Sequence, residues 1–128
     1  MGYYFNKTLP VGFDEAVRRT TDALKREGFG IITEIDVKET LKAKIGVDFR
    51  NYRILGACNP KLAHEALQLE DKIGTMLPCN VVVQELADNR TEIAAIDPVA
   101  SMQAIDNPRL KDAAVEVQRL LRNVVAEV

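Results

Sequence analysis

The segment Asn80-Val81-Val82-Val83-Gln84-Glu85-Leu86, followed by Ala87-Asp88-Asn89 and then Arg90-Thr91-Glu92-Ile93-Ala94-Ala95-Ile96, decides the fold. Two short runs rich in β-branched residues flank a turn-rich connection, which is the pattern of a β-hairpin. A hairpin pairs its strands antiparallel, and an antiparallel sheet can bury one face and leave the other to solvent. Asp97-Pro98 breaks the second run, because proline fixes φ and has no N–H to give to a ladder.

Working outward, Tyr52 to Cys58 reads as a third strand, Ile31 to Ile35 as a second, and Tyr3 to Leu9, ended by Pro10, as the first. Between the first two, Phe13, Ala16, Val17, Thr20 and Leu24 recur at helical spacing until Gly28. Asp36-Val37-Lys38-Glu39 is a capping box, its carboxylates meeting free amides at the start of a short helix. That helix carries Val37, Leu41 and Ile45 and stops at Gly46. Asn59 is a good N-cap, and Pro60 fits the first helical position, where a missing N–H costs nothing. The helix that follows buries Leu62, Ala63, Ala66 and Leu67, then gives way to an irregular turn around Gly74. Asn107-Pro108 repeats the cap and opens the longest helix, with Leu110, Ala113, Ala114, Val117, Leu120, Leu121, Val124 and Val125 on a broad apolar face.

The order is β-α-β-β-β-β-α with inserted short helices. It predicts one α+β domain over residues 1–128, with a curved, mostly antiparallel sheet and helices on one face. The long C-terminal helix must bury its stripe and is expected to pack on the sheet, an architecture that often leaves a cavity between the two.

Composition narrows the function classes. A chain of 128 residues can bury a core without staples, and 47% hydrophobic with 28% charged residues is ordinary for a globular protein. No apolar run approaches the roughly 18–20 residues that cross a bilayer, so no membrane partner is expected. A net charge of −2, with basic residues interspersed among acids, argues against a nucleic-acid partner, which needs clustered positive charge. The start, Met1-Gly2-Tyr3-Tyr4-Phe5-Asn6-Lys7, lacks a secretion signal, and Asn6 stands where a myristoylation motif wants Ser or Thr. The expected location is cytoplasmic, and the two cysteines are expected to be reduced.

Candidate chemistry gathers around two Cys-Asn dipeptides, each beside a proline: Cys58-Asn59-Pro60 and Pro78-Cys79-Asn80. Both fall at element ends, where backbone groups are unpaired. Neighbouring ends of the third and fourth strands would bring Cys58 and Cys79 together. They would then form a dithiol able to close to a disulfide or, with His64, the only histidine, a soft-metal site for zinc or copper. Cys58 also precedes a helix N-terminus, whose dipole favours a thiolate. The plainer reading makes both cysteines small buried side chains. It outweighs thiol chemistry, because neither CxxC nor a two-pair metal spacing exists. A lone helical His64 beside Glu65 is an ordinary surface or packed residue more often than a ligand.

Asp48, Arg50 and Arg53 flank Phe49 and Tyr52. The arginines could clamp a carboxylate or phosphate, although bracing of a loop is the commoner use of such pairs. Asp97, followed by Pro98 and Met102, could line the same cavity or simply cap a helix. Ser101, the only serine, lies outside any nucleophile elbow, and the seven glycines cradle no phosphate.

The strings Tyr52 to Pro60, Gly74 to Val83 and Ile96-Asp97-Pro98 resemble the bacterial domain of unknown function 302 family. The resemblance implies a fold similar to the TATA-binding-protein-like α+β arrangement and a homodimer. It implies no activity, substrate or cofactor.

Three readings follow. The first is a small-ligand binding module with a polar pocket formed by Cys58, Asn59, Cys79 and Asn80, with Asp48, Arg53 and Asp97 around it. The second is a thiol-based redox or soft-metal-handling protein using Cys58, Cys79 and His64. The third is a structural homodimeric interaction protein. The residues specify neither a cofactor nor whether the protein is an enzyme.

Overall fold

The computed structural model describes residues 2–128; Met1, where the N-terminal reading begins, lies outside the described residues. Five strands form one sheet: β1 (Tyr4–Leu9), β2 (Gly30–Asp36), β3 (Tyr52–Cys58), β4 (Cys79–Glu85) and β5 (Thr91–Ile96). Their spatial order is β1-β5-β4-β3-β2. Every pairing in that order is antiparallel, so the mostly antiparallel sheet is wholly so among the described residues. The helices are α1 (Phe13–Arg26), α2 (Val37–Ile45), α3 (Pro60–Leu69), α4 (Pro98–Ser101) and α5 (Pro108–Glu127), with a 3-10 turn at Asp71–Met76. The α+β class, the strand and helix order, and the long C-terminal helix are as the sequence predicts.

The central hairpin forms where expected. Asp88 and Asn89 turn it with φ of 61° and 56°, the left-handed region that short Asx side chains tolerate. Strand alternation then sorts the residues. Val81, Val83, Ile93 and Ala95 are fully buried on the helix side, and Val82 and Ala94 between them face outward. The fourth strand starts one residue earlier than predicted, at Cys79, and so Cys79 and Asn80 point to opposite faces.

Two cores result. The larger sits between the sheet, α1 and α5, around Leu24, Leu55, Val81, Val83, Ile93, Leu121 and Val124. The smaller joins α3, the 3-10 turn, α4 and α5 through Ala66, Ile73, Met102, Leu110 and Ala114. On the other face of the sheet, register places Ile35, Ile54, Val82 and Ala94 in one row.

Caps set the helix positions. Gly28 (φ 86°) ends α1 in a Schellman motif, with Gly28 N–H donating to Lys25 O and Phe29 N–H to Leu24 O. Asn107 Oδ1 accepts from the Arg109 and Leu110 amides, while its Nδ2 donates to Leu69 O at 3.1 Å, tying the start of α5 to the end of α3. Lys7 Nζ donates to the carbonyls of Ala126 and Val128, which ties β1 to the end of α5. Among the described residues no buried side-chain nitrogen or oxygen lacks a hydrogen-bond partner.

Candidate functional site

A cavity of about 290 Å³ opens where the ends of β3 and β4 meet α3 and α5. Ala57, Cys58 and Cys79 form its floor, Leu62, Ala63 and Ala66 of α3 form one wall, and the exposed Leu67 stands at its outer mouth. The facing wall is Leu110, Ala113, Ala114 and Val117 of α5, and Phe29, Leu77 and Met102 close the ends. Small side chains explain the void. Alanine stands at five facing positions on three elements, and larger side chains there would let the core close.

Among the lining residues, Asn59 alone carries a side-chain nitrogen or oxygen. Its Oδ1 accepts the Leu62 amide at 3.2 Å as the N-cap of α3. A side chain added at Gly28 would meet Asn59 Nδ2 at 3.1 Å, so that cap is seated against the turn that ends α1. Asn59 holds the wall in place and leaves the interior to carbon and sulfur.

Register brings the two cysteines close. Ala57 faces Cys79 across β3 and β4, and Cys58 follows at the strand end; both line the cavity. Both are free thiols. Burial, with the neighbouring Cys58 adding a smaller push, raises the Cys79 thiol to about 11. At neutral pH about one molecule in ten thousand carries that thiolate, so Cys79 behaves as an apolar wall.

The sign of that shift makes a prediction. A thiol whose folded pKa lies above its unfolded value stabilises the fold below the unfolded value and loses that contribution as pH rises. Cys79 therefore destabilises the protein by about 2 kcal/mol as pH climbs from about 9 to about 11. Urea titrations of wild type and Cys79→Ala across that window should converge at high pH, and parallel curves would refute the assignment.

The other predicted site residues scatter. Asn80 is exposed on the opposite face, in a groove beside Tyr4, Val82 and Ile96. Asp48 is exposed and pairs with Lys42 at 3.0 Å. Arg53 reaches Glu34 at 3.2 Å and Asp36 at 3.7 Å, and it covers the Phe13 ring at 5.2 Å. Arg50 lies over Phe49 at 4.4 Å and donates to Gln84 Oε1. Asp97 caps α4 through the Val99 amide and accepts from Gln118 Nε2 at 3.0 Å. His64 is exposed on α3 and does not line the cavity. Among the described residues no three His, Cys, Asp or Glu side chains form a group able to hold a metal ion. The expected polar pocket is thus an apolar cavity in which Cys58, Asn59 and Cys79 meet, without Asn80, Asp48, Arg53 or Asp97. Sequence reasoning did not assemble the α5 wall, Phe29 or Ile32 into the site; the only available signal was the run of alanines facing each other on α3 and α5.

The family model described as Domain of unknown function DUF302 matches residues 5–128. The chain belongs to the DUF302 family. A solved relative has the same fold: the crystal structure of an uncharacterized conserved DUF302 protein from Bacillus stearothermophilus. It superposes with a TM-score of 0.91 at 29% identity, over 99% of this chain and 98% of that one. No curated protein matches the chain. Membership in DUF302 brings no reaction to the cavity, so its chemistry has to be read from its walls. No helix among the described residues of this DUF302 chain is long and apolar enough to cross a membrane.

Proposed function

We propose that this protein binds a small apolar molecule in the cavity between α3, α5 and the ends of β3 and β4. The observation that carries this reading is a void of about 290 Å³ whose walls are carbon and sulfur, with Asn59 already engaged as a cap. A dry apolar hole of about 150 Å³ accepts benzene, so this one has room for two rings or roughly ten to twelve carbons. Such a ligand gains about 0.8 kcal/mol for each methylene removed from water. Thiol-redox and soft-metal readings are less well supported, because Cys79 is held as a neutral thiol and a metal needs the thiolate.

Thermal unfolding tests it. With 1-naphthol at a hundred times its dissociation constant, binding to the folded state alone adds about 2.7 kcal/mol and raises Tm by about 10 °C. Polar controls of equal size, such as glucose, should leave Tm unchanged. No rise with naphthol, decanol or indole would sink the reading.

A second reading, a homodimer paired through the outer sheet face, has its own support. Ile35, Ile54, Val82 and Ala94 line up across four strands, and Tyr4 and Ile35 are exposed at 44% and 48%. An apolar sheet face of this kind is a common pairing surface. In sedimentation velocity, Val82→Lys should convert a dimer to a monomer and weaken association about a hundredfold. A wild-type chain that stays monomeric at high micromolar concentration removes this reading. The cavity lies on the other side of the sheet, so both readings can hold together.

A further inference from the structure

Two of the large residues lining the cavity are not inside it: Ile32 is 61% exposed and Leu67 is 44% exposed. Ile32 owes its position to an irregularity in the sheet. The β2–β3 register runs Ile31 with Ala57 and then Thr33 with Gly56, so Ile32 has no partner and the strand bulges there. A bulge re-aims a side chain, and bulges recur beside binding sites. Ile31 packs into the core and Thr33 leans over Gly56 on the outer face, which leaves Ile32 at the rim between them. Leu67, on α3, forms the rim on the helix side. An apolar cavity thus continues outward across apolar lips.

We infer that the ligand is a single-chain amphiphile, longer than the cavity, whose alkyl tail fills the hole and runs out over Ile32 and Leu67 to a polar head in solvent. This rests on the apolar-ligand reading above and adds the class of molecule. A compact ring system would be swallowed whole and leave the lips wet. A polar head is the disfavoured buried end, because Asn59 Oδ1 accepts the Leu62 amide, its Nδ2 sits against the Gly28 turn, and no other lining side chain offers nitrogen or oxygen. The exposed lips therefore extend the apolar contact past the point at which the cavity is full.

The test is a chain-length series of n-alkyl maltosides with 8, 10, 12 and 14 carbons, used below their micelle concentrations and measured by titration calorimetry. Each buried methylene should tighten binding about fourfold. In the wild type that gain continues past about ten carbons. In Ile32→Ser and Leu67→Ser, both surface changes, binding of the 8-carbon member stays within about twofold while the gain beyond about ten carbons is lost. Ile32→Ala gives the same loss if serine perturbs the strand. A wild-type gain that stops at ten carbons, indifferent to Ile32, overturns the overhanging tail and leaves the apolar-ligand reading standing. Failure of both the maltosides and 1-naphthol to bind overturns both. Phosphatidylcholine vesicles separate the two sources of such a tail: a protein that takes the free amphiphile stays in the supernatant, and co-sedimentation assigns the tail to the bilayer and overturns the free ligand.

Discussion

Gly56→Val is expected to destabilise the protein by about 3 kcal/mol. Gly56 sits in the middle of the sheet, paired with Thr33 on one side and Asn80 on the other. A Cβ built on it runs into Thr33 Oγ1 and comes within 2.7 Å of Pro78 Cγ. Neither neighbour retreats cheaply. Thr33 is β-branched and stiff at χ1, and Pro78 is a ring in the loop that closes the cavity floor. Overpacking of this kind costs about 1–3 kcal/mol, and valine adds two further methyl groups to the same space. The urea midpoint should fall by about 1.5 M at unchanged slope. Gly74→Ala is the matched control, since a Cβ there meets nothing within 4 Å. A loss below about 1 kcal/mol for Gly56→Val would show that Thr33 and Pro78 yield.

Ala63→Leu should do two opposite things at once: raise stability by about 1 kcal/mol and weaken naphthol binding about fiftyfold. Ala63 is half-buried on the α3 wall and faces the void. The three carbons added by leucine enter space that is already free of backbone, and cavity filling commonly stabilises by about 0.5–2 kcal/mol. Those carbons displace about as much ligand, and at about 0.8 kcal/mol per methylene the lost contact approaches 2.4 kcal/mol. The expected signature is a higher Tm in the apo protein and a much smaller ligand-induced rise. A lower Tm would mean the wall has no room. An unchanged ligand response would place the binding site elsewhere and end the proposal.

The fold was largely legible because its punctuation is local. The Asn59-Pro60 and Asn107-Pro108 caps, Gly28, Gly46 and the Asp88-Asn89 turn each bear on nearby backbone atoms, and each sits where its chemistry requires. The convergence of Cys58 and Cys79 was legible from strand adjacency. The polar pocket was not, and for a reason the sequence already contained. Cys79 and Asn80 are consecutive in a strand, and a period of two sends them to opposite faces. Starting the strand at Asn80 instead of Cys79 hid that rule. Asp48, Arg53 and Asp97 looked available because their partners Lys42, Glu34 and Gln118 lie 6, 19 and 21 positions away, on other segments. The cavity itself is a long-range property: it exists because alanines on α3, α5 and β3 face one another, which only the packed helices reveal.

The first strand closes the sheet against the last, with Tyr4 opposite Ile96 and Leu9 opposite Thr91. On a ribosome β1 emerges early and waits, unpaired, until nearly three quarters of the residues described here have been made. Its Lys7 anchor waits longer still, for the carbonyls of Ala126 and Val128. The meander β2-β3-β4-β5 can assemble beforehand from neighbours in sequence, so completion of the sheet is a late event of high contact order. During translation the unpaired β1 is therefore a strand open to pairing with the wrong chain.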